Sequence, residues 1–431
     1  MRLLHITAHL GGGVGKVLSR LVEASHLQGD GIAHAIACLE APEKSGFVEH
    51  ARRHGATVIC APDDAALDRL VRAADIVQLA WWHHPVAMRW MCSAALPPMR
   101  MIVWSHISGL SIPALLPGFV RLPHRFLFSS PCSLDNPALR ELTPSERTRL
   151  DVVFSSGGFD DLPQPPARGD DTPLRVGYLG TLNFAKLHPD ILDFVAAVRT
   201  PGFRLELVGD PVTAGPLISR AQAMGIGDRI ALRGYTDDIA GTLAGFDVLA
   251  YLLNPLHYGT TENALLEAMA MGVVPIVLDN PAEKILVTHA HNGLVVRTPC
   301  GFAEAIARLE HAPELRRRLS ANAAADVRDR FSLANTAQAL DAHYRAVMLE
   351  DKRPFDFRPV FGQTPSDWFR SCQGSERWRF GDSSSPRPTH GPGMPPHQLL
   401  ERTKGSVFHY RDVFPGDAQL NRWAQALARR S

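Results

Sequence analysis

Apolar positions along this chain fall into two alternating textures. Short apolar runs at 3–7, 33–38, 76–79, 101–104, 125–128 and 151–154 predict strands. Stretches between them, such as 16–25 and 65–74, carry apolar residues at helical spacing. Strand and helix in alternation imply a parallel sheet covered on both faces. Residues 162–173 (LPQPPARGDDTP) interrupt the pattern with prolines and charges and read as a linker. The alternation resumes with predicted strands at 174–179, 204–208, 229–232, 248–253, 273–278 and 294–296, and 313–348 reads as helix. From about residue 352 to 396 the chain is rich in Pro, Gly, Ser, Trp and Phe without a period, and a last helix is predicted at 418–429. No repeat at solenoid spacing is visible. The plan is two doubly wound α/β domains, a linker and an irregular C-terminal extension. Ligands of such sheets bind at the C-terminal ends of the strands, so the loops there are where chemistry is expected.

Composition narrows the class. The 431 residues carry 45 basic and 44 acidic side chains, a net charge of +1, with 45% apolar content. Such a balance excludes a chain disordered throughout and gives no global drive for neutralising nucleic-acid phosphates. Six cysteines form no C-x-x-C pair, which argues against a zinc ribbon or disulfide scaffold and for a reducing compartment. The N-terminus is too short and polar for a signal peptide, and no uncharged apolar run reaches the ~18 residues of a bilayer span. A cytoplasmic protein is expected, with room for peripheral contact with the inner face of the membrane.

Two loops attract attention by their chemistry. After the first strand, Leu10–Lys16 reads LGGGVGK, and Gly12 and Gly13 let backbone N–H groups approach an anion at a helix start. The loop is neither a phosphate-binding G-x-x-x-x-G-K-(S/T) nor a complete G-x-G-x-x-G, so a nicotinamide-dependent oxidoreductase is disfavoured. The most informative stretch is 254–278, NPLHYGTTENALLEAMAMGVVPIVL. A polar loop leads into a helix starting near Thr261 or Glu262. Its exposed N–H groups, with Thr260, Thr261 and Asn263, make an anion site suited to phosphate. Glu267 lies one turn after Asn263 on the same face, where a ribose diol could donate to it.

The segment from Glu267 to Val277, E-A-M-A-x-G-x-x-P-(I/V)-(I/V), resembles the signature of retaining glycosyltransferase family 4, the group 1 glycosyltransferases of GT-B fold. The resemblance implies that Glu267 holds the donor ribose. The family's second glutamate, eight positions earlier, is here Gly259, and Glu262 stands close enough to take part of its role. Gly180–Leu187 (GTLNFAKL) resembles the family's G-R-L-x-x-x-K-G loop, which places Lys186 against the donor diphosphate; Thr181 replaces the arginine and Leu187 the last glycine. Arg233–Tyr235 resembles the loop that reads the nucleotide base, implicating Tyr235. In the first half, His106 in WSHISG sits where the family often places a histidine facing the donor sugar. Trp82 and His84 in WWHHP offer a stacking face and a hydrogen bond to an acceptor.

The expectation is thus an α/β protein of GT-B fold, two doubly wound Rossmann-like domains facing each other across a cleft. Its divisions would be 1–162 (acceptor side), a linker at 163–173, a nucleotide-sugar-binding domain at 174–348 and the extension at 349–431. The resemblance implies a retaining hexosyltransferase. It would use a UDP- or GDP-linked sugar donor and a saccharide or lipid-linked acceptor in polysaccharide or glycoconjugate assembly. His106, Lys186 and Glu262 are the catalytic candidates. No D-x-D triplet occurs, so no metal is expected at the diphosphate, and no cofactor and no nucleic-acid partner are expected. The alternative is a nucleotide-sugar-binding scaffold with weak or no turnover. The extension is read as docking on the core or on a second subunit as a dimer contact, or as a partly disordered tail.

Overall fold

The first set of apolar runs folds into a parallel sheet. Its strands are β1 (Arg2–Thr7), β2 (Ala33–Cys38), β3 (Thr57–Cys60), β4 (Ile76–Trp81), β6 (Met101–Ser105), β7 (Arg125–Phe128) and β8 (Leu150–Val152); β5 (Leu96–Met99) stands apart. The order is β3-β2-β1-β4-β6-β7-β8. β1 lies between β2 and β4, with Ile6 level with Ala37 on one side and Leu79 on the other. The computed structural model describes residues 1–167, 173–210, 214–381 and 402–429. The expected linker at 163–173 and the extension therefore fall partly outside the described residues.

The second sheet comprises β9 (Val176–Leu179), β10 (Leu205–Val208), β11 (Ile230–Gly234), β12 (Val248–Tyr251), β13 (Val274–Leu278) and β14 (Leu294–Val296). It runs β11-β10-β9-β12-β13-β14, and every pairing is parallel. Both sheets are doubly wound about a central strand, which leaves the ends of β1 and β4 in one, and of β9 and β12 in the other, at a topological switch point.

The chain divides into two units, Met1–Gly157 together with Leu333–Ser431, and Gly158–Ser332 between them. This grouping differs from the boundaries expected at 162 and 348. The long helix anticipated over 313–348 is two helices, Pro313–Arg330 and Leu333–Met348. The first buries Leu319, Ala323 and Val327 in the second unit. The other buries Leu333, Leu340, Tyr344 and Val347 in the first unit's core with Leu3, Val17 and Leu21. The Tyr344 hydroxyl donates to the Gln78 side chain, a buried amide in the middle of β4.

The extension likewise belongs to the first unit. Its strand β15 (Arg353–Phe355) pairs antiparallel with β5, whose sequence LPPM places two prolines where an isolated edge pair tolerates them. Phe355, Phe357, Phe361, Trp368, Phe369 and Tyr410 are buried in one apolar cluster with Trp81, Met88, Phe119 and Phe126. Lys352 donates to the Ala74 carbonyl at 2.6 Å and Arg100 to the Glu350 carbonyl at 2.6 Å. Of the options read from sequence, the described residues of the extension dock on the core; 382–401 lie outside them. Among the described residues, no helix is long and apolar enough to cross a membrane.

Candidate functional site

In the second unit, the loops leaving β9 and β12 are sewn together. The backbone N–H of Asn254 donates to the Lys186 carbonyl at 2.7 Å, and that of His188 to Leu252 at 2.9 Å. Asn254 Nδ2 reaches the Phe184 carbonyl at 2.7 Å, and Asn183 Oδ1 accepts from the Lys186 N–H at 3.0 Å. These bonds fix the backbone from which Lys186 projects. Its Nζ lies 3.0 Å from Glu262 Oε2. The Tyr251 hydroxyl, at the end of β12, donates to the same oxygen at 2.6 Å.

Glu262 is the residue before the helix Asn263–Ala270 and is 4% exposed. Burial works against its charge, but Lys186, His257 and the Tyr251 hydroxyl outweigh it and bring its pKa from 4.5 to about 2. For Lys186 burial also opposes the charge, and Glu262 overturns it, holding the ammonium well above its ordinary 10.5. The pair is therefore ionised at neutral pH. A lysine has three donors, and the Lys186 side chain, 30% exposed, is reachable by an anion.

Gly259 explains how the departure from the paired glutamates is accommodated. A Cβ built on it would lie 1.8 Å from Glu262 Oε1. The Glu262 carboxylate thus fills the space that a side chain at 259 would enter. His257, which sequence reading did not single out, completes the cluster. Its Nδ1 accepts from the Gly259 N–H at 3.0 Å, so Nε2 carries the proton and faces the buried Glu283 carboxylate at 3.0 Å. Burial lowers the pKa of this ring, but Glu283 overturns that effect and raises it above 6.5. The sequence signal was a histidine in a strand-to-helix loop, with a glutamate just after the next strand.

The remaining candidates of this unit lie on the same edge. Thr260 is buried, Thr261, Asn263 and Glu267 are half-buried, and Thr181 is exposed. The helix begins at Asn263, one or two residues later than expected. Gly180 and Gly209 meet closely: a Cβ on Gly209 would come 1.8 Å from the Gly180 carbonyl oxygen, and Gly209 has φ of +151°. Tyr235 is 55% exposed, and its hydroxyl donates to Asp237 at 2.8 Å, set apart from the Lys186–Glu262 pair by its own turn.

The first unit gathers a second cluster at the ends of β1, β2, β4 and β6. Gly11 precedes the helix Gly12–Gln28, and a Cβ there would press on the His9 ring at 2.8 Å. Gly12 takes φ of +55°, and both Gly12 and Gly13 are exposed at the start of this helix, which therefore includes the glycines expected in a loop. Lys404 of the extension donates to His9 Nε2 at 3.0 Å and to Glu43 at 3.1 Å. His409 packs edge-on against His84 at 4.7 Å.

His84, the candidate for hydrogen bonding an acceptor, is buried. It is 1% exposed, its Nδ1 accepts from the Val86 N–H at 3.4 Å and its Nε2 faces Glu40 at 3.4 Å. Nδ1 thus caps the following helix, and the ring is held inside the unit. Trp82 is half-buried, edge-on to His9, His84 and His106. His106 Nδ1 lies 3.1 Å from Ser155 Oγ. Burial drives its pKa to about 3, and burial and then Lys404 bring His9 to about 4, so both rings are neutral at pH 7.

Two parallel, doubly wound units with polar residues at their strand ends define ligand-binding α/β domains, and the comparisons say which kind. Residues 173–311, within the second unit, match the family Glycosyl transferases group 1. The chain is 27% identical over 220 residues to the alpha-D-kanosaminyltransferase of Streptomyces kanamyceticus, covering 48% of this chain and 56% of that one. It is 32% identical over 146 residues to the lipopolysaccharide core biosynthesis glycosyltransferase LpsD of Rhizobium meliloti (strain 1021), covering 33% and 42%. The chain thus spans about half the length of these curated relatives. Among solved structures, HepE of Anabaena in complex with UDP and glucose superposes with a TM-score of 0.63 at 15% identity, over 80% of this chain and 100% of that one. Sucrose-phosphate synthase of Thermosynechococcus elongatus does so with a TM-score of 0.61 at 17% identity, over 81% and 100%. The fold is GT-B, built of two Rossmann-like units, as the sequence implied.

Proposed function

We propose that this protein is a retaining hexosyltransferase that moves a sugar from a UDP- or GDP-linked donor to a hydroxyl of a saccharide or lipid-linked acceptor. The observation that carries this reading is the ionised Lys186–Glu262 pair, sewn by two loops to the start of the Asn263–Ala270 helix. A departing diphosphate needs positive groups placed beforehand, worth several kcal/mol in a preorganised site. Lys186 supplies a point charge and the helix start supplies N–H groups. Glu267, one turn on, is the group for the ribose diol, and Tyr235 lies in the turn assigned to the base. Glu262 holds Lys186 in place and keeps it protonated. A front-face transfer, with the leaving diphosphate oxygen taking the acceptor's proton, fits a site without an evident nucleophile. In the first unit, neutral His106 could accept from or donate to a sugar hydroxyl, and Trp82 offers an apolar face.

UDP is the first donor base to test, because HepE was crystallised with it. The kanosaminyltransferase and LpsD relatives support sugar transfer and, for LpsD, a glycoconjugate product. A scaffold that binds the donor without turnover is the second reading. It is favoured by Thr181, which leaves Lys186 without the second cation of its loop.

A thermal-shift series with UDP, GDP and their sugars tests the reading. One base is expected to stabilise the protein specifically, and Glu267→Ala to weaken that binding by roughly 1–3 kcal/mol, the range for charge-assisted hydrogen bonds. No response to any nucleotide would remove the donor assignment. Binding with neither hydrolysis nor transfer would favour the scaffold.

A further inference from the structure

Away from both sheet edges, the helices Gly12–Gln28 and Gly46–Arg53 pack against each other and bring together Glu23 from the first with His50 from the second, and His54 from its C-cap. The three side chains are each about one-fifth exposed, at 19%, 22% and 21%. Their ligand atoms all lie within 4.8 Å of one another. His50 and His54 stand four residues apart, one turn along the same face.

Proton placement distinguishes this group. His54 Nδ1 lies 2.9 Å from the His50 carbonyl oxygen. A carbonyl only accepts, so Nδ1 carries the proton, and in the neutral ring Nε2 is a lone pair. That lone pair faces Glu23 Oε1 at 3.7 Å, beyond hydrogen-bonding distance. Two acceptors thus confront each other across a gap that a cation would bridge. The other carboxylate oxygen is already engaged: Glu23 Oε2 accepts from Arg20 at 2.6 Å and lies 3.1 Å from His50 Nε2. A histidine whose Nδ1–H is tied to a backbone carbonyl is also the orientation that metal-bound imidazoles use.

The His9, Glu40 and His84 group has similar spacing but the opposite protonation logic. There, Lys404 already supplies the cation at His9 Nε2. His84 Nδ1 is the acceptor, so its Nε2 presents a proton to Glu40 and not a lone pair.

We propose that Glu23, His50 and His54 form a zinc-binding site clasping these two helices, with the fourth position open to water. Tetrahedral zinc holds N and O ligands at about 2.0–2.2 Å, which places the ligands roughly 3.3–3.6 Å from each other; here His54 Nε2 lies 3.7 Å from Oε1 and the ligand atoms all lie within 4.8 Å, so small side-chain shifts close the site. Zinc would take Glu23 Oε1, leaving Oε2 to Arg20. To bind through Nε2, His50 would move its proton to Nδ1, so both rings ligate as neutral imidazoles.

The test is competition of the full-length, tag-free protein with a chromophoric chelator for zinc chloride. One zinc is expected to bind, with His50→Gln and His54→Gln each weakening it at least ten-fold and His9→Gln leaving it unchanged. Zinc should also raise the melting temperature of the wild type and not of the doubly substituted H50Q/H54Q protein. Glu23→Gln serves if either histidine variant fails to fold. Wild-type affinity in H50Q/H54Q or in Glu23→Gln, or its loss in His9→Gln, would overturn the site.

Discussion

The two sheets share a topology, yet the polar groups at their strand ends are kept in opposite states. In the first unit, burial prevails and the rings stay neutral: His106 is held at about 3, and His9 and His409 at about 4, even with Glu40 4.0 Å from His9. In the second, burial is met by a counter-ion, so Glu262 and Lys186 are both charged and His257 is raised. Burial alone does not decide ionisation; the nearest partner does. One edge is thus suited to exchanging hydrogen bonds with hydroxyls, the other to gripping an anion.

The largest expected effect tests whether the first edge stands without its C-terminal support. Ending the chain after Met348 removes Phe355, Phe357, Phe361, Trp368, Phe369 and Tyr410 from the first core. Losing one buried aromatic costs about 3–5 kcal/mol, and whole domains are stable by only about 5–15 kcal/mol. The first unit should lose its cooperative transition in calorimetry and be digested by protease. A surviving transition would show the extension to be dispensable.

Acidification should separate the units next. A ring that burial keeps neutral contributes fully above its ordinary 6.5, and that contribution is lost as the pH falls towards its depressed value. Glu262 contributes above about 4.5 and loses its contribution only towards about 2, while His257, raised, contributes most below 6.5. Between pH 6.5 and 4.5 the first unit should therefore weaken, at about 1.4 kcal/mol per pH unit for each such ring, while the second holds. Domain-resolved hydrogen exchange at pH 7 and pH 5 reads this directly, and equal weakening would break the comparison.

A smaller effect addresses the charged pair itself. Lys186→Ala leaves Glu262 ionised and buried, which should destabilise the second unit by about 3–5 kcal/mol in urea unfolding. Adding Glu262→Gln should recover most of that stability without restoring affinity for a nucleotide diphosphate. Recovery of both would mean that Lys186 serves only Glu262.

Much of this was legible in the chain. β2, β7 and β14 have the expected bounds, because short apolar stretches there are flanked by turn residues. Motif spacing singled out Lys186, and the glycine in the slot of the expected glutamate turned attention to Glu262; the structure brings these two side chains together at 3.0 Å. Other features escaped because they depend on distant partners. β5 is a strand only because β15 pairs with it across some 250 residues of chain. His84 looks available in WWHHP until Glu40 and His409 enclose it. The split of 313–348 into two helices appears only when each apolar face is matched to its own core.

The second unit is an insertion in the first, with Gly158–Ser332 lying between two stretches that share one core. On the ribosome, the inserted unit has all its residues as soon as Ser332 has emerged. The enclosing unit must wait for the aromatics from Phe355 onward, which are made after the inserted unit. While the second unit is made, the nascent chain thus carries the first sheet with β5 unpaired and part of its apolar cover missing. This interval is the one in which the protein most needs protection from aggregation.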